Sequence, residues 1–233
     1  MEKVIGIIGA MDEEVAKFKA CLEDVTVTSV ANMEFHEGRF ADKKVVIVRS
    51  GIGKVNAGIC AQILIDRFGV SAIINTGIAG SLRGEINIGD VVLSSDALQH
   101  DVDAVAFGYE LGVIPRMEVS DFVADEKLIE AAKDACKKAL PDVGVHVGRV
   151  VSGDQFVSDK SKKEWISQQF SGYCTEMEGA AIAQAAYLNQ VPFLIIRAIS
   201  DKADDSAHMD YPTFEAMAID NSVKLLKEMM QNI

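Results

Sequence analysis

The chain's 233 residues are 49% hydrophobic and 25% charged, the balance of an ordinary globular protein with enough apolar side chains for a full core. Its net charge of −12 disfavours the grip that clustered Lys and Arg give on a phosphate backbone, so nucleic acid is not expected as a partner. No apolar run approaches the roughly 20 residues that a bilayer-spanning helix needs, and no membrane role is expected.

In chain order, the first element is a β-branched run over Val4–Ile8. It begins with no charged leader, long apolar stretch or small-residue cleavage site ahead of it, so the protein is expected in the cytoplasm. A helical pattern at 12–21 follows, then an apolar run at 45–48, a helical pattern at 56–68 and a run at 72–74. Further runs at 91–93, 145–151 and 193–196 are interleaved with helical patterns at 125–139, 177–189 and 214–230. The runs are continuously apolar rather than alternating, as in strands covered on both faces. Together they predict an α/β fold of three layers, a largely parallel or mixed central sheet flanked by helices. Pro is scarce, Gly is dispersed, and no repeat or low-complexity tract marks a linker, so 1–233 reads as a single domain. Cys21, Cys60, Cys136 and Cys174 are widely separated and read as reduced core thiols rather than a metal or redox set.

Ligands in such sheets gather beyond the carboxyl ends of the strands, and polar residues follow three of the predicted ones. These are the segments Gly9-Ala10-Met11-Asp12-Glu13-Glu14, Asn75-Thr76-Gly77-Ile78-Ala79-Gly80 and Arg197-Ala198-Ile199-Ser200-Asp201. Gly6 and Gly9 do not have dinucleotide-binding spacing, and the acids at 12–14 would repel a pyrophosphate from the helix start. Ser50-Gly51-Ile52-Gly53-Lys54 lacks the spacing of a triphosphate loop and reads first as a tight strand-to-helix turn. Glu176 and Glu178 stand near the start of an apolar helix, two apart and so on different faces. Ligand binding and dipole compensation explain that pair equally well. His100-Asp101-Val102-Asp103 reads as a polar loop rather than a metal site. There is no Gly-x-Ser-x-Gly elbow of a serine hydrolase.

As an ordered set, the segments 5–14, 50–57, 75–80, 151–156, 176–178 and 197–201 resemble those of bacterial 5'-methylthioadenosine/S-adenosylhomocysteine nucleosidases. The resemblance implies the nucleoside phosphorylase fold, a homodimer, no metal or organic cofactor, and 5'-thioadenosine nucleosides and water as small-molecule partners. It implies that Asp201, held protonated by a dry site, donates to adenine N7, and that Glu14 deprotonates the attacking water. Glu178 would receive the ribose hydroxyls, with Met177 beneath the sugar. Phe156 would stack on adenine, and the Val157 backbone would read the base edge. Arg197 and Ser200 would orient the acid or the ribose, and Glu176 and the Ala10-Met11 turn belong to the same matching segments. Ile52 and Tyr211 would lie at the 5' substituent, and Phe107 and Pro115 would reach into the neighbouring subunit's 5' pocket. An apolar pocket there suits a thioether better than a hydroxyl or phosphate.

One position departs from the pattern. Many relatives carry Ser where this chain has Ile78, and that hydroxyl would hydrogen-bond the aspartate. Here Asp201 must be oriented by another group, a backbone amide or Ser200. A phosphorylase on the same fold would need cations around its nucleophile, whereas this chain places Asp12-Glu13-Glu14 and Asn75-Thr76 there. A non-catalytic nucleoside-binding protein would not require both an acid and a base.

Overall fold

A computed structural model describes residues 2–203 and 207–233, with only the backbone given over 207–212. The central strands form where β-branched residues crowd together. Strand β1 (Val4–Gly9) pairs in parallel with β4 (Lys43–Arg49) on one side and with β5 (Ala72–Ser81) on the other. Ile7, Ile8, Val45, Val46, Ile47, Val48, Ile73 and Ile74 are fully buried there. Each such side chain contributes roughly 1.5–3 kcal/mol through its burial.

Beyond β5 the sheet curls back on itself. β5 pairs in parallel with β10 (Phe193–Asp201), which pairs antiparallel with β6 (Val91–Gln99). β6 runs parallel to β8 (Val145–Ser152), β8 parallel to the short β9 (Cys174–Glu176), and β9 returns antiparallel to β5. This ring of five strands gathers the carboxyl ends of β5, β8, β9 and β10. The other flank is an antiparallel extension, β4 to β3 (Met33–Phe40) to β2 (Glu23–Val30), and β7 (Asp121–Val123) pairs with β6. Helices α1 (Asp12–Lys19), α2 (Lys54–Phe68), α3 (Glu126–Ala139), α4 (Lys160–Phe170), α5 (Gly179–Leu188) and α6 (Ala207–Met230) complete the fold. Among the described residues no helix is long and apolar enough to cross a membrane.

Several expectations need correction. The segments at 75–80 and 197–201 are not loops after strands, because β5 and β10 run through them. The helix expected from Met177 begins at Gly179, which leaves Glu176 on β9 and Glu178 at the helix cap. Strands β2, β3, β7 and β9 and helix α4 add to the predicted elements. Of the four cysteines expected in the core, Cys21 is exposed, because α1 ends at Lys19 instead of continuing through it.

Candidate active site

Two strand ends and two helix starts place carboxylates around a single cavity of roughly 470 Å³. Glu14 is the third residue of α1, and its side chain folds back over the helix start. Its Oε2 accepts from the backbone N–H of Ala10 at 2.7 Å and of Met11 at 3.1 Å, and its Oε1 accepts from the Ile78 N–H on β5 at 3.2 Å. A carboxylate at this helix position satisfies donors that the first turn leaves unpaired. The close approach to β5 requires glycine at 77, since a Cβ there would lie 2.6 Å from Glu14 Oε1. Burial pushes the Glu14 carboxyl above its usual pKa, although the Arg197 charge and the three N–H groups oppose the shift. A dry carboxylate with fixed orientation is suited to take a proton from water.

Glu176 and Glu178 both point inward, contrary to the helical reading, because neither is on the helix. Glu176 accepts from the Gly179 N–H at 2.8 Å, from the Glu178 N–H at 3.2 Å, from the Ser152 hydroxyl and from Arg197. Its hydrogen-bonding capacity is therefore largely committed to the protein. Glu178 accepts from the Gly53 N–H at 2.8 Å. Burial and the neighbouring Glu176 raise the Glu178 carboxyl to about 7 from 4.5, against the opposing Arg197 charge.

That raised value has a consequence for stability. A carboxylate whose folded pKa lies above its unfolded one favours the fold at low pH, and the contribution is lost as pH rises through the folded value. Wild-type protein should therefore lose stability relative to Glu178→Gln between about pH 5 and pH 8. Parallel thermal unfolding of the two proteins reads this; a pH-independent difference in Tm would contradict it.

Asp201 owes its position to an irregularity. The pairing of β10 with β5 shifts register between Ile199 and Asp201, so Ser200 is an extra residue opposite β5. Successive strand residues ordinarily face opposite sides, and a bulge re-aims them. Both Ser200 and Asp201 consequently line the cavity. The Ser200 hydroxyl donates to Asp201 Oδ2 at 2.8 Å, and the Ala203 N–H donates to Oδ1 at 2.7 Å. A hydroxyl and an amide thus hold the aspartate, the two groups expected to orient it in a chain with Ile at position 78. Ile78 instead lines the cavity as an apolar wall beside Ala198 and Met11. Gly80 is required on the facing strand, where a Cβ would meet Asp201 Oδ1 at 2.8 Å and Ala203 Cβ at 2.7 Å.

Of the residues expected at the site, Ala10, Met11, Glu14, Ile52, Ile78, Phe156, Glu176, Met177, Glu178, Ser200 and Asp201 line the cavity. Val157 lines a small adjoining recess with Gln155 and Phe156. Arg197, expected beside Asp201, lies instead beneath the floor. It is 2% exposed and donates to Asn75 Oδ1 at 2.5 Å and to Glu176, so its contacts are with the supports of the site. Phe107 and Pro115 are exposed, Phe107 to 84%, and neither lines this chain's own cavity. Tyr211 lies outside the residues whose side chains are described.

Thr175, Ala79 and Gly80 also line the cavity, and Ser152 and Asn75 support its floor. The sequence alone points to a role for none of these five. Their only signal was membership of, or adjacency to, the quoted segments.

The phosphorylase superfamily matches this chain over residues 4–231. A 5'-methylthioadenosine/S-adenosylhomocysteine nucleosidase of Exiguobacterium sp. is 44% identical over 95% of this chain and 95% of its own length. The protein of the same description from Staphylococcus carnosus is 41% identical over 99% of this chain and 100% of its own. Among solved structures, the Neisseria meningitidis 5'-methylthioadenosine/S-adenosylhomocysteine nucleosidase in complex with methylthio-immucillin-A superposes with a TM-score of 0.95 at 38% identity. That superposition covers 99% of this chain and 100% of the other.

Proposed function

The chain belongs to the 5'-methylthioadenosine/S-adenosylhomocysteine nucleosidases of the phosphorylase superfamily, and from that premise we infer that its cavity uses water to cut the N-glycosidic bond of both nucleosides. The products are adenine and the 5-thio-substituted ribose. The observation that carries the hydrolytic reading is the lining of the cavity: Glu14, Glu176, Glu178 and Asp201, with no Lys or Arg among the described lining residues. Phosphate as nucleophile would meet carboxylates and no cation, whereas water needs a carboxylate. Adenine release in phosphate-free buffer at an undiminished rate is the expected result; release only after phosphate is added would make the protein a phosphorylase.

As the C1'–N9 bond lengthens, positive charge grows on the ribosyl ring and negative charge on the base. Glu14 takes a proton from the water that attacks C1'. Asp201 gives a proton to N7, so adenine departs neutral. Glu178 accepts from the ribose hydroxyls and offers its charge to the cationic sugar above Met177. Phe156 stacks on the base, and the recess behind it suits contact between the base edge and the Val157 backbone. These interactions strengthen as the bond breaks, which is the condition for accelerating the reaction rather than only binding the substrate. 5'-Deoxyadenosine is a third candidate substrate, because an apolar 5' end at Ile52 makes no demand for sulfur.

The working unit in this reading is a homodimer. Phe107, Ile52 and Val55 are 84%, 53% and 73% exposed, large apolar side chains whose burial a second copy would supply. Phe107 and Pro115 would then complete the neighbour's 5' pocket. Sedimentation should report a dimer at assay concentrations; a fully active monomer would remove the shared pocket. The four unpaired cysteines suit a reducing compartment such as the cytoplasm.

A further inference from the structure

Two residues along the chain from the cavity-lining Ile52 and Phe156, Lys54 and Asp154 join Asp101 in a closed ring that ties together three segments far apart in sequence. The Lys54 ammonium binds Asp101 Oδ1 at 2.5 Å and also Gln99 Oε1 at 2.9 Å. Asp101 Oδ2 accepts from the Asp154 N–H at 3.0 Å, and Asp154 Oδ1 accepts from the Lys54 N–H at 2.8 Å. The segment 100–103, read from sequence as a polar loop, is thus partly an internal brace. His100 is 1% exposed, and the Lys54 and Asp101 side chains are only 17% and 18% exposed.

What the ring joins is the important point. Lys54 opens α2 and directly follows Gly53, whose N–H donates to Glu178. Gly53 holds φ at +96°, in the region open to glycine, and a Cβ there would also come 3.1 Å from Asp154 Oδ1. Asp154 begins the turn that carries Phe156 and Val157 to the base side of the cavity. We propose that Lys54, Asp101 and Asp154 act as a unit of positioning residues that fixes the ribose-side loop at Gly53 relative to the base-side loop at Phe156.

The proposal deepens the nucleosidase reading and rests on it for the naming of the two sides. Burial works against the Asp101 charge, but the Lys54 ammonium and the Asp154 N–H outweigh it and hold the carboxyl below its usual pKa. Asp101 therefore stays ionised throughout the range in which Glu178 titrates. Both partners are largely removed from water, so their attraction is screened less than that of an exposed pair.

The test compares Lys54→Met, Lys54→Arg, Asp101→Asn and the double variant Lys54→Met/Asp101→Asn. Each is assayed for methylthioadenosine hydrolysis across pH and for adenine affinity by calorimetry. Loss of the brace should raise KM and the adenine Kd roughly tenfold while changing kcat less than about threefold. Because the Gly53 N–H favours the ionised form of Glu178, the acid limb of kcat/KM should also move to higher pH. The double variant should be no worse than the worse single one, and Lys54→Arg should recover most of the loss. A structural role alone would not move the acid limb. Folded variants with unchanged KM, adenine Kd and acid limb would overturn the proposal, as would strictly additive losses. Should Asp101→Asn fail to fold, the contrast between Lys54→Met and Lys54→Arg decides alone. A wild-type protein that releases no adenine would refute the enzymatic reading instead, and adenine Kd values would still test the brace.

Discussion

Glu14→Gln should bind adenine nearly as well as the wild-type protein and hydrolyse methylthioadenosine about 100 to 10,000 times more slowly, the usual cost of losing a general base. The substitution keeps the shape of the side chain. Its amide oxygen can still accept from the Ala10 and Met11 N–H groups, while its NH2 would face the Ile78 N–H in place of an acceptor. One buried hydrogen bond is lost at a cost of roughly 1–3 kcal/mol, small enough for the fold to survive. Single-turnover kinetics with calorimetric binding separate the two effects. Since burial raises the Glu14 pKa, wild-type turnover should fall as pH drops and the base becomes protonated. Near-normal turnover by the variant would move the base to another residue, Glu178 being the next carboxylate lining the cavity.

Asp201→Asn is the second large effect, and it is selective. The asparagine can keep the Ala203 N–H contact, and its NH2 can donate to the Ser200 oxygen, because a hydroxyl both donates and accepts. It can offer adenine N7 a hydrogen bond but cannot release a proton. Adenine affinity should fall modestly and the chemical step severely, since the interaction matters most when negative charge develops on the base. A nucleoside whose leaving group departs without N7 protonation should recover much of the rate relative to wild type. Equal damage on both substrates would reduce Asp201 to a positioning residue and require another proton donor.

The legibility of this molecule follows the physical source of each signal. Strands β1, β4, β5 and β10 were readable because both faces are covered, so Ile7, Val46, Ile74 and Ile195 form unbroken apolar runs. Strand β2 was not. Val25 and Val27 on it are 47% and 49% exposed, and hydrogen bonding to β3 alone leaves no mark of burial in the sequence. β9 spans only Cys174–Glu176, too short for any period to appear, and without it Glu176 and Glu178 looked like residues of one helix. Helix α4 is largely polar and buries only Ile166 and Phe170.

At the site, the carboxylates could be named from the ordered segments, but their support could not. The bulge that turns Ser200 and Asp201 to one side depends on register against β5. Arg197 lies under the floor because Asn75 and Glu176 converge there from two other strands. Both are properties of pairing between distant segments, which a linear pattern does not record.

The closed ring of strands also sets a timetable for synthesis. β5 pairs with β1 on one side, but its other partners, β9 and β10, begin only at Cys174 and Phe193. At about 5–20 residues per second, the stretch between β5 and β10 occupies the ribosome for on the order of ten seconds. Through that interval the edge of β5 that β10 will cover, from Ile73 onward, has no strand beside it, and pairings at such separation are slow to form. Asp201 stands at the very end of β10, so the proton donor is the last of the proposed catalytic groups to emerge. A nascent chain stalled before residue 193 would expose an open strand edge to its neighbours on the same message, and the hazard ends only when β10 docks and completes the acid's setting.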